Sequence, residues 1–223
     1  FWSDYGQAKM GIYGDYETVV REVEKDGGLS FLDHTGEFVG CEDDPDRADE
    51  PYYINKFANI FLNYDSCIAF DVNSGKNNRT RYDIDLWDNL LQMTLPHGRN
   101  VSGITFSDGH LIDEYDRAFT MMCMPANTLE NLRTCMESGA WFSVGRYARK
   151  DLGEDFVGEG APPAVYSVTV NNDTDTVSFE GGEYNYIKWI SNGEVIREGT
   201  DCTSLCLDDF TDEELGMYVR FQI

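Results

Sequence analysis

Histidine and basic side chains are scarce in this chain. Its 223 residues include three histidines (His34, His97 and His110) and 17 lysines and arginines against 41 aspartates and glutamates, a formal net charge of −24. Proteins that bind nucleic acid or anionic membranes need clustered cations, so this balance argues against both kinds of partner. The acidity is typical of a solvated surface in a salty or extracellular setting, with a cation-collecting face as the alternative.

Long apolar runs and Cys-x-x-Cys pairs are also absent from the sequence. No apolar run approaches the roughly 18 residues that span a bilayer, so we expect no membrane insertion. The six cysteines lack the zinc-finger spacings. Cys202 with Cys206, or Cys123 with Cys135, could form disulfides, and buried thiols are the alternative.

Other features of the sequence favour a secreted, extracellular protein. Asn-x-Ser/Thr sequons occur at Asn78, Asn100 and Asn172, and they matter only where a secretory pathway glycosylates its cargo. The sequence begins Phe1-Trp2 without a methionine, and we expect that a signal peptide or longer leader has been removed.

Helix and strand patterns alternate through residues 1–150. Apolar runs and apolar residues at helical spacing predict strands at 29–32, 68–72, 101–106, 118–124 and 140–144, and helices at 17–25, 53–64, 84–95 and 128–137. We expect Asp15 and Asn127 to cap the first and last of these helices. The alternation favours a mostly parallel α/β domain over residues 1–150.

The composition changes after residue 150. Segment 151–163 is rich in Gly, Glu and Pro and is predicted to be a linker. Short alternating strands over 164–223, separated by turn signals such as Gly181-Gly182 and Asn192-Gly193, predict a small antiparallel β domain.

The tetrapeptide Ser107-Asp108-Gly109-His110 is the main candidate for metal chemistry, because it ends the apolar run 101–106. Residues two apart on an extended backbone point the same way, so Asp108 and His110 offer a carboxylate and an imidazole to one divalent ion. Ligand sites of parallel sheets gather where the strands end, and His34 follows another predicted strand. Asp33 could orient that imidazole, although neighbours on a strand face opposite sides.

Other polar groups in the sequence are better explained by ordinary structural roles than by a functional site. The acidic segment 43–50 has oxygen ligands that suit Ca²⁺ but lacks the spacing of an EF-hand, so we interpret it as a solvated loop. His97 precedes Gly98 and is typical of a turn. Ser107 lacks the Gly-x-Ser-x-Gly context of a serine nucleophile.

Several segments resemble the PHP (polymerase and histidinol phosphatase) superfamily of metallohydrolases, in particular its secreted-type branch with a small C-terminal β domain. The likeness spans roughly residues 17–223 and lies in 27–34, 70–72 with 86–91, 98–110, 129–145 and the terminal 218–221. Residues 27–34 resemble the family's Gly-Gly strand that ends in a metal-binding His, and 107–110 resemble its Ser-Asp-x-His ligand motif.

The resemblance implies an α/β fold: part of a distorted, mostly parallel (β/α) barrel followed by a small antiparallel β domain. It also implies that His34, Asp108 and His110 bind a divalent metal (Zn, Mn or Fe), and that the substrate is a small phosphoester. It assigns no catalytic residue in this chain.

The chain also departs from the family pattern. The family's His-x-His and Thr-Asp-His motifs have no counterpart here, and Thr35 stands where the family usually has Pro. One hypothesis is that the chain is the C-terminal portion of a hydrolase whose upstream segment completes the site, so that it is inactive alone. The other is a catalytically degenerate extracellular assembly subunit, which forms homo-oligomers or filaments through the edges of its β domain.

Overall fold

The computed structural model describes residues 16–223, which fold as two units. The first unit ends at Gly158 and the second spans Glu159–Ile223. The boundary falls inside the segment 151–163 that the composition predicts as a linker. The predicted cap at Asp15 and the chain start at Phe1 lie outside the described residues.

Three short parallel strands form the centre of the first unit. They are β1 (Ser30–Leu32), β2 (Cys67–Asp71) and β3 (Ser102–Ile104), in the order β1-β2-β3. Every residue of β2 is buried, as a nearly continuous apolar run predicts for a strand covered on both faces. The carboxyl ends of the three strands therefore lie at one edge of the sheet, where the chain continues into His34, Asn73 and Thr105.

Residues 16–223 contain seven α-helices. Those of the first unit are α1 (Tyr16–Lys25), α2 (Thr35–Val39), α3 (Pro51–Asn63), α4 (Asp83–Thr94), α5 (Leu129–Ser138) and α6 (Arg149–Leu152). The core forms where α3 meets the sheet: the Phe57 and Phe61 rings lie 6.0 and 6.3 Å from the ring of Phe70 on β2. Leu86 and Leu90 of α4 are also fully buried.

The parallel sheet of the first unit is limited to β1, β2 and β3, and the two strands that follow β3 in this unit pair antiparallel. β4 (Ala118–Met122) and β5 (Trp141–Gly145) form a two-stranded sheet of their own. Side chains, and not a backbone ladder, connect this pair to β3: the Trp141 indole donates to the Gly103 carbonyl at 2.8 Å, and the Thr120 hydroxyl donates to the Thr105 carbonyl at 2.7 Å. The mixed α/β class is confirmed.

The second unit consists mainly of antiparallel strands, as predicted. β6 (Ala164–Asn171), β7 (Thr176–Gly182) and β10 (Ser204–Cys206) form one sheet, and β8 (Ile187–Ser191), β9 (Glu194–Gly199) and β11 (Arg220–Gln222) form the other; α7 is Asp212–Leu215. Its core contains stacked Phe179 and Phe221 rings, whose centroids are 4.7 Å apart. The predicted Asn192-Gly193 turn joins β8 to β9, with φ values of 50° and 80° that suit a type I′ hairpin.

Several local predictions need correction. Gly181-Gly182 lies inside β7 and not in a turn. The cap of α5 is Thr128, whose hydroxyl accepts from the Asn131 N–H at 3.2 Å, and not Asn127. The predicted acidic loop includes a 3₁₀ helix, Pro45–Asp49, and Cys41 before it is fully buried.

Two sequence-level expectations are answered directly by the structure. All six cysteines are free thiols, and neither suggested disulfide is formed. Within residues 16–223 no helix combines the length and apolar composition that crossing a membrane requires.

Arg99 ties the end of α3 to the start of β2, and its loss should destabilise the first unit. Its guanidinium donates to the carbonyl oxygens of Phe61, Asp65 and Cys67 at 3.1, 3.2 and 2.6 Å. We expect Arg99→Ala to lower the free energy of unfolding by about 2–3 kcal/mol, because carbonyl groups at least partly shielded from water lose a charged donor. Urea unfolding measures this, with the exposed Arg21→Ala as control; an equal effect of the two changes would contradict it.

Candidate metal centre

His34 lies where β1 ends and α2 begins, in a conformation that the sequence pattern did not predict. Its φ and ψ of 50° and 35° place it in the left-handed region, which is uncommon for residues other than glycine. The His34 backbone N–H donates to Asp71 Oδ2 at 3.3 Å, and the imidazole is only 17% exposed. Strained backbone of this kind is concentrated at functional sites.

Two carboxylates face the Nδ1 side of the His34 ring. Asp33 Oδ1 lies 2.9 Å and Asp71 Oδ2 3.2 Å from Nδ1. Asp33 reaches the ring because the left-handed turn at His34 ends the alternation that would have separated the two side chains. One donor atom from each of the three residues lies within 4.8 Å of the others, so these residues could themselves hold a metal ion.

Asp71 is a site residue that sequence reasoning missed. It ends the buried strand β2, its side chain is fully buried, and Oδ1 accepts from the Ser74 hydroxyl at 2.6 Å and the Asn73 N–H at 3.1 Å. The available signal was the acid that ends the apolar run 67–70, because a carboxylate is seldom buried without a partner.

The other side of the His34 ring faces Asp108 and His110. Asp108 Oδ1 lies 3.5 Å from His34 Nε2 and 3.3 Å from His110 Nε2, so the structure brings the three predicted ligands together. Ligand atoms 2.0–2.1 Å from a tetrahedral ion are separated by about 3.3–3.4 Å. Asp108 Oδ1 is therefore at a distance that would let it share a borderline divalent ion such as Zn²⁺ with either imidazole. Within residues 16–223, only Asp33, His34 and Asp71 place one donor atom each within 4.8 Å of one another, so joint binding by His34, Asp108 and His110 requires the exposed His110 ring to turn toward His34.

Asp108 and His110 converge by a different route from the one that their spacing predicts. β3 ends at Ile104, and Asp108 has a left-handed φ of 46°, so the pair does not lie on an extended strand. The His110 imidazole is 83% exposed, but its backbone is held, because Glu114 Oε2 accepts from the N–H groups of His110 and Leu111 at 2.9 and 3.0 Å. Glu114 Oε1 accepts from Arg117 at 2.7 Å.

The charges around the ring are mainly negative. Burial favours neutral His34, but its contacts with Asp33 and Asp71 outweigh this effect and raise its pKa to about 11. Burial raises the pKa of Asp33 to about 6, although His34 opposes the change. In the metal-free protein a protonated imidazole thus acts as the counter-ion of the acids, a place that a divalent cation would take.

A further carboxyl group, Asp83 at the first position of α4, lies behind this cluster. It is fully buried, and its carboxyl group lies directly against Gly36 of α2. Burial, together with the charge of Asp71, raises its pKa well above the ordinary value. The site therefore has a core of acids with a single imidazole among them.

The stability of the metal-free protein should fall as the pH rises above neutrality. Because the pKa of His34 is higher in the folded state (about 11) than the ordinary value of 6.5, its contribution is fully present below pH 6.5 and is lost as the pH approaches 11. Between pH 7 and 9.5 we expect wild type to lose about 2–3 kcal/mol more than His34→Gln. Urea unfolding in EDTA at the two pH values checks this, and parallel losses would contradict it.

The third histidine does not join the centre. His97 ends the 3₁₀ helix Leu95–His97, is exposed, and precedes Gly98 with a left-handed φ of 75°, as its interpretation as a turn residue predicts.

Comparison of the chain with protein-family models, with curated proteins and with solved structures gave no match. The proposed function therefore rests on the geometry of the site and on the motifs in the sequence.

Proposed function

We propose that this chain belongs to a PHP-like, metal-dependent hydrolase of the phosphoesterase type, and that its first unit is a portion of the distorted barrel of that family. One observation carries the proposal: His34, Asp108 and His110, far apart in the sequence, converge at the carboxyl edge of a parallel sheet with spacings of 3.5 and 3.3 Å. Ligand sites of α/β folds lie at this edge.

The residues of the site would coordinate a single metal ion. His34 Nε2, Asp108 Oδ1 and His110 Nε2 would bind Zn, Mn or Fe, while Asp33 and Asp71 fix the ring through Nδ1. A divalent ion supplies Lewis-acid polarisation of a phosphoryl oxygen and activates water. Glu114 keeps the backbone of His110 in place.

Hydrolysis by this chain alone should be slow. Three ligands hold a single ion with open positions, whereas the family that the sequence resembles uses two or three ions. A segment that carries the His-x-His motif would be needed to complete such a cluster.

The direct test is metal-dependent hydrolysis of p-nitrophenyl phosphate and of bis(p-nitrophenyl) phosphate. We expect a slow rate that EDTA abolishes, that one of Zn²⁺, Mn²⁺ or Fe²⁺ restores, and that His110→Ala removes. His97→Ala is the matched control, because it changes an exposed histidine outside the centre. Rates that are insensitive to EDTA, or equal in the two variants, would contradict the proposal.

A second function, assembly through the β unit, is favoured by one observation. Tyr166, Val168 and Val170 alternate along β6 and are 72%, 53% and 63% exposed. β6 is an edge of its sheet within the described residues, and exposed apolar edge strands pair with other chains. Sedimentation should then show self-association that Val168→Lys abolishes; a monomer at every concentration would exclude this function.

A further inference from the structure

A cavity of about 260 Å³ adjoins the candidate metal centre in the first unit. His34 and Asp108 line it on one side, and the loop that follows β2, from Ser74 to Thr80, supplies most of another wall. Any molecule that reacts at the centre would occupy this cavity, so the groups that line it determine which substrate fits.

Besides His34, the lining contains three lysine and arginine side chains in a chain that is strongly acidic overall: Lys76, Arg79 and Arg117. Two of them are neutralised, because Arg79 forms an ion pair with Glu37 and Arg117 forms one with Glu114. The Lys76 ammonium has no ion-pair partner within residues 16–223, and the residue is exposed. The Lys76 ammonium can therefore contact an anion in the cavity without first breaking an ion pair.

The loop that carries Lys76 is held by hydrogen bonds on both sides of it. The Thr80 hydroxyl donates to the Ser74 carbonyl at 3.0 Å and accepts from the Ser74 N–H at 3.3 Å, which closes the loop. Arg149 donates from Nε to the Lys76 carbonyl at 2.8 Å, and its backbone N–H donates to Asn77 Oδ1 at 3.1 Å. The backbone that presents Lys76 is therefore fixed before a ligand binds, which lowers the entropic cost of binding.

Two residues of left-handed backbone flank Lys76. Gly75 and Asn77 have φ values of 55° and 53°, and Gly75 also donates its N–H to the Phe106 carbonyl at 3.0 Å, next to the segment that carries Asp108. The unpaired Lys76 and the fixed loop that carries it both belong to the lining of the cavity.

We infer that the cavity is an anion subsite in which Lys76 contacts the phosphate group of a small phosphomonoester. The inference rests on the proposed function for the reaction itself and adds the substrate class. A monoester carries up to two negative charges, and a divalent ion together with a lysine from the same cavity lining matches them better than a divalent ion alone.

Binding of inorganic phosphate tests the subsite without relying on turnover. Calorimetric titration would compare wild type, Lys76→Met and Lys25→Met, each after EDTA treatment and again with Zn²⁺. Lys25 is the matched control, because it is an exposed lysine on α1 that pairs with Glu22 at 2.9 Å. We expect Lys76→Met to weaken phosphate binding about tenfold or more in the Zn²⁺ form, and Lys76→Arg to restore most of it.

The outcomes separate the two proposals. Phosphate binding that depends on Lys76 in a chain without metal-dependent hydrolysis would support the subsite and overturn the hydrolase. Metal-dependent hydrolysis with the same phosphate affinity and KM in Lys76→Met as in wild type would support the hydrolase and overturn the subsite. No measurable phosphate binding by wild type in either form would also overturn the subsite.

Discussion

Replacing Asp108 with asparagine should weaken the affinity of the chain for a divalent metal by about 100-fold or more. Asp108 Oδ1 is the atom that lies close to both imidazoles, at 3.5 Å from His34 Nε2 and 3.3 Å from His110 Nε2. Asparagine tolerates the left-handed backbone of this position, so the change removes the charge and leaves the local conformation in place. The measurement is metal content after dialysis against a competing chelator, together with calorimetric titration of Zn²⁺.

Asp113→Asn is the control for this prediction, because it removes an exposed carboxylate from the same loop. We expect it to bind metal as wild type does. A stoichiometric metal content in Asp108→Asn would indicate that the ion binds instead on the Nδ1 side of His34, between Asp33 and Asp71. In that case Asp71→Asn should abolish binding instead.

Replacing Gly36 with alanine should lower the free energy of unfolding of the first unit by about 2–4 kcal/mol. Gly36 lies in α2 against the carboxyl group of Asp83, and a Cβ there would be 1.9 Å from Asp83 Oδ1 and 3.1 Å from its Cγ. Asp83 is fully buried at the start of α4, so it has no open space into which it can turn. Urea unfolding of Gly36→Ala measures the loss.

Gly158→Ala is the matched control, since a Cβ at that position would meet its nearest atom at 3.4 Å, an ordinary contact. A double-mutant cycle isolates the cause. In the background of Asp83→Ala, the change Gly36→Ala should cost less than about 1 kcal/mol, because the crowding carboxyl group is gone. An undiminished cost in that background would show that the crowding is not the origin of the loss.

The sequence predicted that His34 and the 108/110 pair lie near one another, and the reason is topological. Parallel strands bring their carboxyl ends to one edge whatever the details of the loops, and the apolar runs before His34 and before Ser107 mark those ends. The mixed α/β class and the antiparallel strands of the second unit follow from periodicity in the same way.

The local geometry of the site could not be predicted from spacing alone. Two left-handed residues, His34 and Asp108, redirect the chain. His and Asp adopt this conformation more readily than most residues, but tertiary contacts decide at which positions they do so. The five-residue helix α2 has a sequence, Thr-Gly-Glu-Phe-Val, that shows no helical preference. Asp71 was missed because a single acid at the end of a strand has no pattern around it.

The pairing of β4 with β5 could also not be predicted from the sequence. Alternation of strands and helices indicates that elements follow each other, but it does not show whether the next strand joins the existing sheet. Here the helix α5 lies between two strands that pair antiparallel. Side-chain hydrogen bonds and the packing of Trp141 against the cluster that contains Ile104 connect them to β3.

Anomalous diffraction at the zinc edge, from crystals of the chain grown with Zn²⁺, gives the most direct test of the shared coordination on which the account depends. We expect one strong anomalous peak at about 2.0–2.2 Å from His34 Nε2, Asp108 Oδ1 and His110 Nε2. A His34 ring that lies out of reach of the other two side chains, or crystals with no peak at this site, would contradict it.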